Sequence, residues 1–275
     1  MSLKIIQFII IIILSIIPFG FIIFYVYKKD LHKEPKKLVL FVFLLGMLSA
    51  LCNTFFSFFN NFSLANKSTT NMNIYELIIY SFLFVAFIEE LFKFIFIYLS
   101  SYHFKEFDET YDILVYAITT HLGFAFFENI FYLADTLINY SNIQTFTTMI
   151  FRSLSAVPIH AVCGIYMGYF LSLAKIYKVA DERYYMLINI LYSIIIPIII
   201  HGLYDFLLSY LANTNDVIFG FGIILYLVFI YFTGFMRVKK SANNNFNLKF
   251  NNKSCPKCLN KTIGSYCPNC GCKQV

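Results

Sequence analysis

Hydrophobic residues fall into seven runs along the chain, roughly 5–27, 38–59, 74–100, 111–138, 150–174, 184–210 and 217–236. Each is long enough for the ~20 residues that a helix needs to cross a bilayer. The pattern predicts an all-α polytopic membrane protein, a bundle of about seven transmembrane helices. The first run exceeds the ~7–15 residues of a signal-peptide core and no small-residue cleavage site follows it, so it is expected to stay as a span. Four runs are broken inside by polar residues. Glu89, Glu90 and Lys93 interrupt the third, Glu128 and Asn129 the fourth, His160 the fifth, and His201 with Asp205 the sixth. A charge at bilayer depth costs at least ~2.5–3.5 kcal/mol, so such groups usually face the bundle interior and carry function. Four spans each donating one or two polar groups predict a shared site.

Composition sharpens this picture. The 275 residues are 59% hydrophobic and 13% charged, with a mean hydropathy of +0.70. A soluble domain of this size cannot bury that much apolar side chain. The net charge of +6 is unevenly placed. Five lysines lie in 28–37, three basic residues in 175–183 and three in 237–240. If the spans alternate, all these loops share one side, and the other side holds only Lys4 and Lys67 outside the spans. The positive-inside rule makes the basic side cytoplasmic, with the N-terminus outside and the C-terminal tail inside a multi-pass cell-membrane protein. Topology and anionic lipid account for the basic loops, so no nucleic-acid partner is required. The acidic loop 102–112 departs from the trend.

The chain divides into a transmembrane domain at 1–240, an Asn-rich linker at 241–253 and a small module at 254–275. The module carries Cys255 and Cys258, then Cys267 and Cys270, as CxxC-x8-CxxC. Two such turns supply four thiolates for a tetrahedral structural zinc, a C-terminal zinc ribbon. Two disulfides are the other use of these residues, disfavoured in the cytoplasm. About 20 residues cannot bury a core unaided, so the module should fold only with metal. With all ligands used, it is structural or a dock for a cytoplasmic partner. Cys272 is a spare, and Cys52 and Cys163 read as core packing.

Within the intramembrane set, Lys93 follows Glu89 by four residues and Glu90 by three, so it can reach either on a helix. One carboxylate can be neutralised by Lys93, leaving the other to act as base or acid. The plainer reading is an ion pair that fixes packing. His121 stands seven residues before Glu128, on a similar face. Glu128 could equally line a polar seam. Pro158 is expected to kink or loosen the helix bearing His160, and Arg152 to sit near the outer interface. A lone buried histidine usually only satisfies a core hydrogen bond. His201 and Asp205 are spaced i, i+4, which lets the acid hold the imidazole tautomer, share a metal or help bind an oxyanion. Glu89, His160 and His201 are candidate ligands of a catalytic divalent metal such as zinc.

These residues carry a resemblance. Glu89-Glu90-x-x-Lys93, Phe107-Asp108-Glu109 with Asp112, and Gly123-Phe124-Ala125-Phe126-Phe127-Glu128-Asn129 resemble successive motifs of the PrsW family of intramembrane proteases. Arg152 with Pro158-Ile159-His160-Ala161 and His201-Gly202-Leu203-Tyr204-Asp205 continue the order, over roughly residues 20–236. Ile113 departs from the glycine common there. The family is similar to the CAAX prenyl endopeptidases, and that similarity implies Glu89 as base, Glu90 as the partner of Lys93, and His201 with Asp205 polarising the scissile carbonyl. Glu128 stands where those relatives usually have a histidine.

The expected function is that of an intramembrane endopeptidase acting on a membrane-anchored regulatory protein, such as an anti-sigma factor, through water activated by Glu89. The catalytic set is Glu89, Glu90, Glu128, His160, His201 and Asp205, with the lipid bilayer as its setting. Two other classes use the same buried groups. An ion-coupled transporter predicts paired halves with broken helices, which the sequence lacks. A non-catalytic receptor would keep the fold and recruit partners through the tail.

Overall fold

The computed structural model describes residues 3–59, 68–245 and 248, and among these no strand occurs. The four zinc-ligand candidates Cys255, Cys258, Cys267 and Cys270 lie outside the described residues. The helices in chain order are α1 (Leu3–Lys29), α2 (Lys36–Phe59), α3 (Ile74–Ile79), α4 (Phe87–Leu99), α5 (Asp112–Asn139), α6 (Asn142–Leu154), α7 (Ala156–Val179), α8 (Arg183–Thr214) and α9 (Val217–Asn243). A π-helical stretch, Tyr80–Ala86, joins α3 to α4.

Six segments are long and apolar enough to cross a membrane: Phe8–Lys29, Lys36–Phe59, Asp112–Asn139, Asn142–Val179, Arg183–Thr214 and Ile218–Asn243. The seventh expected run is helical from Ile74 to Leu99, but in three consecutive pieces. It also carries Glu76, Glu89, Glu90 and Lys93, which keeps it out of that count. A π turn widens the helix by one residue and is typical of functional positions. Here it lies directly ahead of the charged turn of α4.

Local sequence explains the helix ends. Asn73 caps α3, accepting from the Glu76 amide at 3.0 Å while Glu76 accepts from the Asn73 amide at 2.9 Å. Ser141 and Gln144 form the same reciprocal box at the start of α6. Lys28 and Lys29 close α1, where cations favour the negative end of the helix dipole.

The expected kink at Pro158 is found as a break three residues earlier. The chain leaves α6 at Ser155 (φ −120°, ψ −67°) and restarts in α7, with Pro158 in its first turn. Proline is tolerated there because the first amides of a helix have no intrahelical partner. The Ser155 hydroxyl bonds the Phe151 carbonyl at 2.8 Å and Tyr204 Oη at 2.9 Å, which ties the break to α8.

Helix α5 is the centre of the bundle. Its apolar window is 78% buried, against 17% for α1 and α9, whose apolar side chains face outward. Outward apolar surface on peripheral helices is what a lipid solvent permits. α5 packs against α2 on one side and α7 on another, and α7 packs in turn against α8. The α2–α5 contact depends on two glycines. A Cβ at Gly46 would sit 2.0 Å from the Thr120 carbonyl oxygen, and one at Gly123 2.1 Å from that of Phe43. Small residues at a helix crossing let the backbones approach this closely. That approach sets α5 deep enough for its polar face to meet α4 and α7.

Candidate active site

Five helices, α4 to α8, supply one buried polar cluster. On α4, Lys93 is fully enclosed and reaches both preceding acids. Its Nζ lies 2.7 Å from Glu90 Oε1 and 3.3 Å from Glu89 Oε2. It also donates to His160 Nδ1 at 3.1 Å and sits 4.0 Å from the centroid of the Phe124 ring. An ammonium has only donors, so His160 Nδ1 accepts and its proton resides on Nε2. That Nε2–H then donates to Glu128 Oε2 at 3.1 Å.

The two adjacent glutamates occupy different surroundings. Glu90 is 0% exposed and bonded on every side, with His121 Nε2 2.9 Å from Oε2 and His201 Nδ1 2.9 Å from Oε1. Glu89 is 8% exposed and opens onto a cavity of about 640 Å³. Glu128, His160, His201, Asp205, Arg152 and Tyr204 line the same cavity. Adjacent residues on a helix point about 100° apart, so one acid faces the packed core and the other faces the space.

The i, i+4 spacing of His201 and Asp205 places them as expected. His201 Nε2 lies 3.3 Å from Asp205 Oδ2 and 3.9 Å from Glu89 Oε2. Its ring meets that of His160 edge to face, with centroids 4.9 Å apart. The structure therefore brings all six expected residues together: Glu89, Glu128, His160, His201 and Asp205 on the cavity, and Glu90 behind them.

Arg152, expected near the outer interface, reaches into the cluster. From the last turn of α6, Arg152 Nη2 comes 3.0 Å from Glu128 Oε2 and Nε bonds Asn129 Oδ1 at 2.6 Å. Its guanidinium also stacks 3.8 Å over Tyr132. Arg152 thus supplies the cation that Glu128 lacked in the sequence. His121 shares a helix face with Glu128 but does not meet it. Seven residues span about 10.5 Å along the axis, so His121 lies at another depth and meets Glu90 instead. Tyr80 and Tyr204, which also line the cavity, carried no signal beyond Tyr204's place in the His-Gly-Leu-Tyr-Asp run.

Glu89, His160 and His201 each offer a ligand atom within 4.8 Å of the others, all buried. One carboxylate and two imidazoles form a donor set that suits zinc in catalytic sites. These residues fit a divalent metal.

Known proteins resemble this chain over most of its length. Residues 34–234 match the family described as "PrsW family intramembrane metalloprotease". The chain is 31% identical over 221 residues to Protease PrsW of Oceanobacillus iheyensis, covering 80% of this chain and 90% of that protein. It is 31% identical to Protease PrsW of Bacillus subtilis over the same shares. Protease PrsW of Clostridioides difficile is 26% identical over 240 residues, covering 87% of this chain and 94% of the relative. No solved structure matches.

Proposed function

The chain belongs to the PrsW family of intramembrane proteases, and from that premise we propose that it hydrolyses a peptide bond of a membrane-anchored regulatory protein, such as an anti-sigma factor, with water activated by Glu89. One observation carries the reading: of two adjacent buried glutamates, only Glu89 opens onto the cavity that His160, His201, Asp205 and Glu128 also line.

The division of labour follows from the contacts. Glu89 takes a proton from water admitted to the cavity. Glu90, held by Lys93, His121 and His201, keeps the His201 ring oriented. His201, with Asp205 beside it, steadies negative charge on the carbonyl oxygen as the tetrahedral centre forms. The proton that Glu89 has taken up passes to the leaving amine, and His160 and Glu128, already linked through Nε2–H and Oε2, position that transfer. Arg152 holds Glu128 in place. A divalent metal held by Glu89, His160 and His201 would supply Lewis acidity and a more acidic bound water.

Transport is the weaker reading. Two segments are broken, 74–99 at its π-helical stretch and 142–179 at Ser155, but membership of a protease family favours hydrolysis over carriage. The test is reconstitution of the purified chain in liposomes with a panel of single-span membrane proteins. New termini within or next to a substrate's span are expected, and their loss on chelation would assign the metal. A panel left uncut, together with cation-coupled uptake by the same liposomes, would move the chain to the transporter class.

The basic loops further support an N-terminus outside and a cytoplasmic tail, where the four cysteines would hold zinc and offer a docking knob. In single-cysteine chains, Lys67→Cys should react with an impermeant maleimide in intact cells. Lys240→Cys should react only after permeabilisation. The reverse pattern would invert the topology.

A further inference from the structure

A second buried acidic cluster lies away from the cavity. The cavity's rim includes Asn53 and Ser57 near the end of α2, whereas this cluster gathers at the start of α2 and α5. Asp30 and Glu34 come from the α1–α2 turn, Glu109 and Asp112 from the entry to α5. Their exposures are 3%, 5%, 7% and 1%. Acids are almost never this buried unless they are paired. Yet among the described residues no Lys or Arg pairs with any of the four, despite five lysines in 28–37. Among the described residues the one basic side chain paired with them is that of His32, whose Nδ1 lies 2.6 Å from Glu109 Oε1 and which is 75% exposed.

The oxygens are unequally used. Asp112 Oδ2 accepts the amides of Asp108 and Glu109 at 3.0 and 2.7 Å, and Asp30 Oδ1 that of His32 at 3.2 Å. Tyr116 donates to Glu34. The second oxygen of each aspartate, Asp30 Oδ2 and Asp112 Oδ1, is buried with no hydrogen bond. Such crowding of carboxyls is costly unless positive charge enters.

We propose that Asp30, Glu109 and Asp112 form a binding site for a divalent cation of the oxygen-preferring class, calcium or magnesium. One oxygen from each lies within 4.8 Å of the others. Two oxygens bound to one calcium at 2.3–2.6 Å stand at most about 5 Å apart, so the separation suits one ion. All three donors are carboxylates, which favour hard cations over the thiolate and imidazole sites that select zinc. The ion ties three segments together. Asp30 fixes the turn after α1 and Asp112 the start of α5. Glu109 accepts from Asn245, just past α9, whose Oδ1 also receives Thr110 Oγ1 and the Tyr111 amide at 3.0 Å. The site therefore secures the point where the C-terminal tail leaves the bundle.

The test uses the full chain in detergent, stripped with EDTA and titrated separately with CaCl2, MgCl2 and TbCl3. Tb3+ emission is excited through tyrosine, since the chain has no tryptophan. Calcium or magnesium should raise Tm by several degrees, in the wild type and equally in Glu89→Gln. Tb3+ should bind and be displaced by the stronger of the two ions. Asp30→Asn and Glu109→Gln should each weaken Tb3+ at least about tenfold, as loss of even an outer-shell partner does. An unchanged Tb3+ affinity in both variants overturns the proposal. Should neither variant fold, the wild-type titration decides: no Tm response to either ion at 10 mM overturns it as well.

Discussion

Glu89→Gln should lower the rate of peptide-bond hydrolysis by about 10²–10⁴, the usual worth of a positioned general base, while yield and substrate binding stay near wild type. The amide keeps the size of the carboxylate and can still accept from Lys93, which lies 3.3 Å away, but it cannot take a proton from water. Glu90→Gln should behave differently. Glu90 is enclosed by Lys93, His121 and His201, so its loss should first reduce folded protein. Measuring cleavage per folded molecule, with chromatographic monodispersity beside it, separates the two. Metal content of the Glu89→Gln protein tells whether the lost carboxylate acted as base or as ligand. Wild-type turnover in Glu89→Gln would end the assignment of Glu89.

Lys93→Met should cost about 3–5 kcal/mol of stability, the penalty for stripping a buried charge pair of one partner. Lys93 is 0% exposed and is the shared cation of Glu89, Glu90 and His160. Methionine fills most of the volume, so the loss reads the charge rather than a cavity. The cluster holds four carboxylates, Glu89, Glu90, Glu128 and Asp205, against two permanent cations, Lys93 and Arg152. Removing either cation widens the surplus of carboxylates from two to three, which histidines or added protons must absorb. Adding Glu90→Gln to Lys93→Met should recover a large part of the loss, because the acid in closest contact with the missing cation is then neutral. Thermal unfolding of both singles and the double forms a cycle. No recovery in the double would mean that Lys93 serves packing and not charge balance.

The membrane class and most of the candidate site were legible in the residues themselves. Six of the seven apolar runs need only length and composition to be read as spans, since a helix in lipid satisfies its own backbone; the third, 74–99, carries too many charges for that. Lys93 with Glu89 and Glu90, and His201 with Asp205, meet because partners three or four residues apart share a helix face whatever lies around them.

What sequence could not settle was which residues from different helices meet, and at what depth. Nothing in the spacing shows that Arg152, one turn before the break at Ser155, meets Glu128. His121 lies on the face of Glu128 yet pairs with Glu90 of α4. Which glutamate of the adjacent pair faces the cavity follows from the rotation of α4 against α5 and α8. The acids at 30, 34, 109 and 112 come together only because close α2–α5 packing at Gly46 and Gly123 draws the turn before α2 onto the start of α5. Periodicity along one helix specifies a face. It holds nothing about the axial offset or rotation of a neighbour, which is set by side-chain and backbone packing across the whole bundle.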